Sequence, residues 1–213
     1  PEKALPETLT KLQQHGLEIR WTSNTRSYKK LLPSLAEFPD AAIITCDDDV
    51  FYEDTLTEQL YAAYEQDVQT GRPVCVYARR VKKITQSAGN LRPYDEWEIV
   101  TAPGDVDQCN FAVGAGGILY PPGVFYKDIA NMELAGEMTP NSNDAWFWAM
   151  ARLMNVDVKF VGEKNKLLYV EVEREAGLKK SKRLYLLNKE QKDGQLAAIL
   201  NHYPELRQQI ERW

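Results

Sequence analysis

Apolar runs alternate with stretches of helical periodicity along the first third of the chain. Residues 41–46 (AAIITC) and 74–78 (VCVYA) are almost continuously apolar, which is typical of buried strands and, for 41–46, predicts a central strand of a parallel sheet covered on both faces. Between them, residues 56–68 repeat apolar side chains at helical spacing, with Asp54 as the expected N-cap and Gly71 after the last turn. This alternation predicts an α/β fold built on a parallel sheet.

The remaining elements follow from the same patterns. Residues 17–22 (LEIRWT) predict a short strand, and residues 27–38 predict a helix that Pro33 kinks or splits. Residues 143–154 (NDAWFWAMARLM) are apolar on nearly every side, which indicates a buried helix. The rest of the chain predicts strands over 156–161 and 167–172, a charged loop over 173–183 and an amphipathic helix over 193–203.

The chain of 213 residues has no internal repeat and no clear linker, so a single domain over 1–213 is expected, with 173–213 packed on it as a loop and helix. The composition, 44% hydrophobic and 27% charged, excludes a largely disordered chain. A net charge of −5 argues against a nucleic-acid partner. No apolar run approaches the roughly 20 residues that span a bilayer.

The cysteines and histidines indicate where the protein works. Three cysteines (Cys46, Cys75 and Cys109) lie far apart without CxxC spacing, which favours buried thiols in a reducing compartment, and so a cytoplasmic protein. Two histidines are too few for a histidine-rich zinc site.

Three consecutive carboxylates follow the apolar strand that ends near Cys46. Asp47, Asp48 and Asp49 repel one another, and a hard divalent cation such as Mg²⁺ or Mn²⁺ would remove that cost. In an extended segment Asp47 and Asp49 would point to the same side. Ligands collect at the carboxyl ends of strands in open α/β sheets, so these residues predict a cation site that also meets a diphosphate. The alternative is a cluster that caps the next helix.

A second candidate, Asp144, opens the helix that carries Trp146. Aromatic neighbours can desolvate a carboxylate and raise its basicity, which suits a general base that deprotonates a hydroxyl. An ordinary helix cap is the alternative interpretation.

Glycines and basic residues complete the candidate chemistry. Residues 114–117 (GAGG) would let the backbone approach a ligand closely, although a bulge or tight turn explains them equally well. Arg26, Lys29 and Lys30, and a second basic cluster over 174–183, suit a diphosphate or a solvated surface.

Together, three segments in this order resemble the GT-A glycosyltransferases: ITCDDDVFY, NFAVGAGGILYPPGVF and NDAWFWAMARL. The likeness covers about residues 17–161 and is strongest to family 2-like bacterial enzymes that build surface polysaccharide or lipopolysaccharide. It implies a GT-A (Rossmann-like) fold with a mixed, mostly parallel sheet flanked by helices. It also implies transfer of a hexosyl group from a nucleotide-diphosphate sugar, with UDP-sugars favoured, to a glycan or lipid-linked acceptor hydroxyl with inversion.

The resemblance assigns roles residue by residue. Asp47 and Asp48 would lie near the donor ribose and the metal, Asp49 would be the principal ligand of Mn²⁺ or Mg²⁺, and Asp47 would join it. Arg26 and Lys30 would contact the nucleotide, and Gly116 and Gly117 would border the sugar. Asp144 would be the catalytic base. Tyr94, Trp97 and Trp146 would stack on acceptor sugars, although a core role is equally open for Trp146.

The chain departs from the family at its beginning. GT-A domains open with a strand that forms part of the nucleotide-base pocket, whereas residues 1–16 resemble the loop and short helix that follow it. We therefore expect an N-terminally truncated domain.

Binding to a lipid-linked acceptor would associate the protein peripherally with the inner face of the membrane. A nucleotidyltransferase that makes nucleotide sugars and a non-catalytic carbohydrate-binding domain are the rival functions.

Overall fold

The structure is a computed structural model that describes residues 5–87, 90–162, 168–169 and 191–213. Its helices are α1 (Glu7–Gln13), α2 (Leu32–Glu37), α3 (Leu56–Gln69), α4 (Met132–Met138), α5 (Asn143–Leu153), α6 (residues 191–202) and α7 (Pro204–Glu211). Short 3-10 helices cover Arg26–Lys30, Tyr94–Glu96, Gly114–Gly116 and Lys127–Ala130.

The strands are short. They are β1 (Ile43–Thr45), β2 (Val50–Phe51), β3 (Val76–Ala78), β4 (Val81–Lys83), β5 (Gln86–Ser87), β6 (Asn90–Leu91), β7 (Glu98–Ile99), β8 (Val106–Asp107), β9 (Asn110–Ala112), β10 (Ile118–Tyr120), β11 (Val158–Phe160) and β12 (Leu168–Tyr169). Five of them form the central sheet in the order β1-β10-β3-β11-β8. A three-stranded sheet (β7-β4-β9) and two pairs, β12-β2 and β5-β6, lie beside it.

The central sheet separates two hydrophobic clusters, because successive side chains of a strand point to opposite faces. On β3, Val76 and Ala78 face the larger cluster, which contains α5 and the apolar sides of α6 and α7. Tyr77 faces the smaller cluster, which contains Leu56 and Leu60 of α3. The result is a sheet with helices on both faces, an α/β arrangement of three layers.

The predicted mostly parallel sheet is not confirmed. Three of the four neighbouring pairs in the central sheet are antiparallel, and the parallel pair is β3–β11. Since β10 runs opposite to both of its neighbours, β1, β3 and β11 share one direction. An apolar run does not encode strand direction, which is why the prediction failed.

Three further expectations at the start of the chain are wrong. Residues 17–22 form no strand, and no strand among the described residues pairs with them; Trp21 is 59% exposed. The apolar run at 41–46 does not become a central strand, since β1 lies at an edge of the described sheet. Asp54 does not cap α3, whose N-cap residue is Thr55.

Several predicted elements are confirmed. The segment over 27–38 is split into a 3-10 helix and α2, with Pro33 in the first turn of α2. The helices α3, α5 and α6 and the strands β3 and β11 form where expected, whereas α4 and α7 were not predicted. The strand over 167–172 is described only as β12, and the loop over 173–183 lies outside the described residues. None of the described helices has the length and apolar character to cross a membrane.

Candidate active site

The aspartate run and the glycine-rich loop meet at one edge of the central sheet. In the register of β1 and β10, Thr45 lies opposite Ile118. Asp47 follows Thr45 by two residues, and the loop at 114–117 ends directly before Ile118. Antiparallel pairing therefore brings the carboxyl end of β1 beside the start of β10, although the two segments are far apart in sequence.

Lys30 neutralises the first aspartate of the run. Its ammonium forms an ion pair with the Asp47 carboxylate, and about a fifth of each side chain is exposed. Burial raises the pKa of the Asp47 carboxyl despite the opposing charge of Lys30, and the charges of Asp144 and Asp49 add to the rise. Asp47 is therefore a partly buried carboxylate whose pKa responds to the charge of Asp144, the candidate base.

A buried tyrosine anchors the segment that carries Lys30. The Tyr28 hydroxyl donates to the carbonyl of Thr139 at 2.7 Å, and its ring packs edge-on against Phe147 at 5.8 Å. Arg26 does not approach Asp47 through any described contact; its guanidinium donates to the carbonyl of Pro140 at 3.1 Å, in the loop before α5. The predicted nucleotide contacts therefore separate, with Lys30 at the aspartates and Arg26 at the approach to Asp144.

Tyr52 connects the aspartate turn to the glycine-rich loop. Its hydroxyl accepts a hydrogen bond from the backbone N–H of Asp47 at 2.8 Å and donates to the carbonyl of Ala115 at 3.1 Å. Burial is the main reason that the pKa of Tyr52 is raised, so the hydroxyl stays protonated and keeps donating. This bridge fixes the two segments relative to each other.

Asp144 is held by a distant backbone group rather than by its own helix. Its Oδ2 accepts a hydrogen bond from the backbone N–H of Gly114 at 3.1 Å. The N-cap of α5 is Ser142, and no side chain caps the helix. A Cβ at position 114 would lie 2.6 Å from Asp144 Oδ1, so the close approach requires glycine. Asp144 therefore bonds to the backbone of Gly114 instead of capping its own helix.

Gly116 and Gly117 serve packing and backbone geometry. A Cβ at Gly116 would lie 2.4 Å from the Cβ of Arg80 and 2.8 Å from its backbone nitrogen. Gly117 has φ +87°, and a Cβ there would lie 3.0 Å from Leu56. Because protein atoms fill the space beside both glycines, the tight-turn alternative explains them better than the predicted contact with a donor sugar.

The other two aspartates lie in a turn, so the expected alternation of an extended segment does not apply. Asp48 and Asp49 are exposed, whereas Asp47 is turned toward Lys30. In the described part of the chain, no three acidic, histidine or cysteine side chains converge on a point where a metal could sit.

The donor chemistry nevertheless fits a hard cation. Mg²⁺ is commonly held by one or two carboxylates together with substrate phosphates and water. Asp49 and Asp48 supply such carboxylates at the edge of the sheet, so they are the residues that would hold a divalent cation. Asp47, which pairs with Lys30, is less suited to ligation than the sequence suggested.

The aromatic residues expected to stack on an acceptor belong largely to the core. Trp97 is 3% exposed and Trp146 is fully buried, with their indole N–H groups donating to the carbonyls of Arg92 and Ile129. Neither ring offers a face to a sugar, which corrects that prediction for Trp97 and selects the core role for Trp146. Tyr94 is half-buried at the edge of the same aromatic group.

Sequence reasoning missed the side chains that assemble this site. Tyr28 and Tyr52 bond to residues far along the chain, which no local pattern reveals. Gly114 was noted only as part of a glycine run. A lysine on α6, Lys192, also lies within electrostatic reach of Asp144. The basic cluster over 174–183 lies outside the described residues.

Comparison of the chain with protein-family models, with curated proteins and with solved structures found no match.

Proposed function

We propose that this chain is a metal-dependent glycosyltransferase domain of GT-A type that uses a nucleotide-diphosphate sugar. The observation that carries the proposal is the fixed Asp144 carboxylate, which is bonded to Gly114 and whose charge helps to raise the pKa of Asp47, the partner of Lys30. A base positioned beside a cation-binding and diphosphate-binding edge is the arrangement that sugar transfer to a hydroxyl requires.

Strand directions support the fold assignment within this proposal. The carboxyl ends of β1, β3 and β11 lie at one edge of the central sheet, and the start of the reversed strand β10 joins them there. Ligands of open α/β sheets bind at that edge. The turn at 47–49 and the loop at 114–117 both lie there.

In the proposed reaction, Asp144 takes the proton of the acceptor hydroxyl as that oxygen attacks the anomeric carbon. The bond between the anomeric carbon and the diphosphate breaks, and the nucleoside diphosphate leaves with the electron pair. Lys30 pairs with Asp47, so it holds that carboxylate at this edge of the sheet and offsets its negative charge. A divalent cation bound at Asp49 and Asp48 would supply further charge neutralisation for the diphosphate.

Transfer assays with Asp144→Asn test the proposal. Release of nucleoside diphosphate from UDP- and GDP-sugars, and of CMP from CMP-sugars, is measured alongside the affinity for the donor. We expect turnover to fall at least about a hundredfold with a nearly unchanged donor affinity, because the amide keeps a hydrogen-bond acceptor for Gly114 and loses the base. Glu133→Gln, an exposed acid in the first turn of α4, is the matched control.

Three results would redirect the assignment. Turnover equal to wild type in Asp144→Asn would remove Asp144 from the chemistry. Formation of a nucleotide sugar from a nucleoside triphosphate and a sugar 1-phosphate would identify a nucleotidyltransferase instead, and metal-independent binding of glycan without any transfer would identify a binding module.

A further inference from the structure

Lys192, on α6, is a buried cation in an aromatic setting. The residue is 7% exposed, and its Nζ lies 4.2 Å from the ring centroid of Tyr94 and 5.0 Å from that of Phe111. Within the described residues no hydrogen-bond acceptor or carboxylate pairs with this ammonium. Cation–π contacts with these rings replace only part of the favourable hydration energy that an ammonium loses on burial. Its donors are therefore suited to bind an anion.

A second ammonium shares the same ring. Lys82, on β4, has its Nζ 4.0 Å from the centroid of Tyr94 and donates to the Tyr94 carbonyl at 2.8 Å. The pKa of Lys192 is lowered mainly by burial and further by the charge of Lys82, while Asp144 and Asp193 act in the opposite direction. Two cations are thus concentrated around one half-buried tyrosine.

Contacts of α6 with its neighbours place Lys192 beside the start of α5. The side-chain amide of Asn141, three residues before Asp144, donates to the Gln191 side chain at 2.8 Å. The ring of Phe111 lies 5.9 Å from that of Trp148, one helical turn after Asp144. The neighbours of Lys192, which are Gln191 and Phe111, therefore contact residues that lie before and after Asp144 in the chain.

The charge of Asp144 influences two groups of charges. Its carboxylate acts on Asp47, which Lys30 and Asp49 also influence, and it acts on Lys192, which Lys82 and Asp193 influence. In a transfer reaction the base lies between the donor and the acceptor hydroxyl. If the aspartate turn meets the donor, the side of Lys192 meets the acceptor.

We propose that Lys192 and Lys82, arranged around the ring of Tyr94, form a subsite for an acidic group of the acceptor, either a carboxylate or a phosphate. The proposal rests on the proposed function, because it assigns the acceptor side from the role of Asp144. An acidic group would receive hydrogen bonds from Lys192 and offset the repulsion between the two ammonium groups. The acceptor is then an acidic sugar or a sugar phosphate rather than a neutral glycan.

Binding of small probes to the full chain, followed by NMR titration of the labelled protein, tests the subsite. The probes are methyl glucuronide for a carboxylate, glucose 6-phosphate for a phosphate and methyl glucoside as the neutral reference. We expect at least one acidic probe to bind about tenfold or more tightly than the neutral one, since a charge-assisted hydrogen bond contributes that much. The carboxylate and phosphate arms distinguish the two chemistries.

Three variants sharpen the test. Lys192→Met should remove the preference for the acidic probe, and Lys192→Arg should retain most of it. Lys127→Met, which changes an exposed lysine over the ring of Tyr126, should have no effect. Circular dichroism and thermal unfolding verify that each variant folds. Equal binding of acidic and neutral probes, or a preference that survives Lys192→Met, would overturn the subsite.

A separate titration with UDP and Mn²⁺ distinguishes this proposal from the proposed function. Simultaneous binding of UDP–Mn²⁺ and the acidic probe is the expected result. Mutually exclusive binding would assign Lys192 to the diphosphate and overturn the acceptor subsite. Binding of the acidic probe through Lys192 without any binding of UDP–Mn²⁺, GDP–Mn²⁺ or CMP would support an anion site while contradicting glycosyl transfer.

Discussion

The Asp144 carboxylate accepts a hydrogen bond from the backbone N–H of Gly114 across 30 residues of sequence, with the two atoms 3.1 Å apart. The glycine-rich loop and the start of α5 are held together at this point. The position of the candidate base therefore depends on a residue that has no side chain.

Gly114→Ala should displace Asp144. The new Cβ would lie 2.6 Å from Asp144 Oδ1, so either the loop or the carboxylate must move. We expect a loss of about 1–3 kcal/mol in the free energy of unfolding, and a fall in turnover that exceeds any loss of donor affinity. Urea unfolding and transfer assays measure these effects.

Gly136→Ala is the matched control, because a Cβ there meets nothing within 4 Å. It lies within α4 and should gain up to about 1 kcal/mol from helix propensity while leaving turnover unchanged. Full activity and wild-type stability in Gly114→Ala would show that the close approach is not required.

A buried ion pair lies on the face of the central sheet that packs against α3. The Lys159 ammonium bonds to both carboxylate oxygens of Asp67, at 2.9 and 2.8 Å, and the Tyr77 hydroxyl donates to the same carboxylate at 3.1 Å. Lys159→Met leaves the buried Asp67 with only the exposed Arg72 guanidinium, 4.0 Å away, as a cationic partner. We therefore expect a loss of about 3–5 kcal/mol in urea unfolding.

The exposed pair Lys11–Glu7 provides the comparison for this measurement. Lys11→Met should change stability by no more than about 0.5 kcal/mol, since an exposed helical pair contributes little. Equal effects of the two substitutions would mean that Asp67 is not buried as the structure has it.

Lys192 should make the stability of the protein depend on alkaline pH. Its pKa is lowered in the folded state, so the unfolded chain binds the proton more tightly. Stability should therefore rise as the pH increases from the lowered pKa toward the ordinary lysine value near 10.4. The measurement is urea unfolding of wild type and Lys192→Met across that range; identical pH dependence of the two proteins would contradict the burial of this ammonium.

Sequence patterns predicted elements whose burial is intrinsic to the chain. Helix α5 is apolar on nearly every side, so it must be buried whatever surrounds it. Residues 17–22 have a strand-like pattern, but a strand also needs a neighbouring strand that supplies hydrogen bonds, and no strand among the described residues pairs with them. A local pattern carries no information about that neighbour.

The two missed helices left readable signals. Asn131 caps α4 by accepting from the backbone N–H of Leu134 at 3.2 Å, and asparagine is a favoured N-cap residue. Pro204 begins α7 at the position where proline is favoured, with Leu206 and Ile210 buried four residues apart.

The site was predictable in its chemistry but not in its pairings. The carboxylates Asp47 and Asp144 stand out in the sequence because of their settings. Their partners Lys30 and Gly114 are 17 and 30 residues away, so the fold alone selects them. Separation along the sequence also explains why the predicted stacking of Trp97 on an acceptor sugar was wrong, since its burial depends on contact with the distant Phe111.

Binding of UDP to the wild-type chain, measured by calorimetry with and without Mn²⁺, tests the central claim most directly. We predict binding that requires Mn²⁺ and that Asp49→Ala abolishes, while Asp40→Ala, a change at another exposed aspartate, leaves it intact. Binding that is equally strong without Mn²⁺, or that survives Asp49→Ala unchanged, would contradict a cation-assisted diphosphate site at the end of β1.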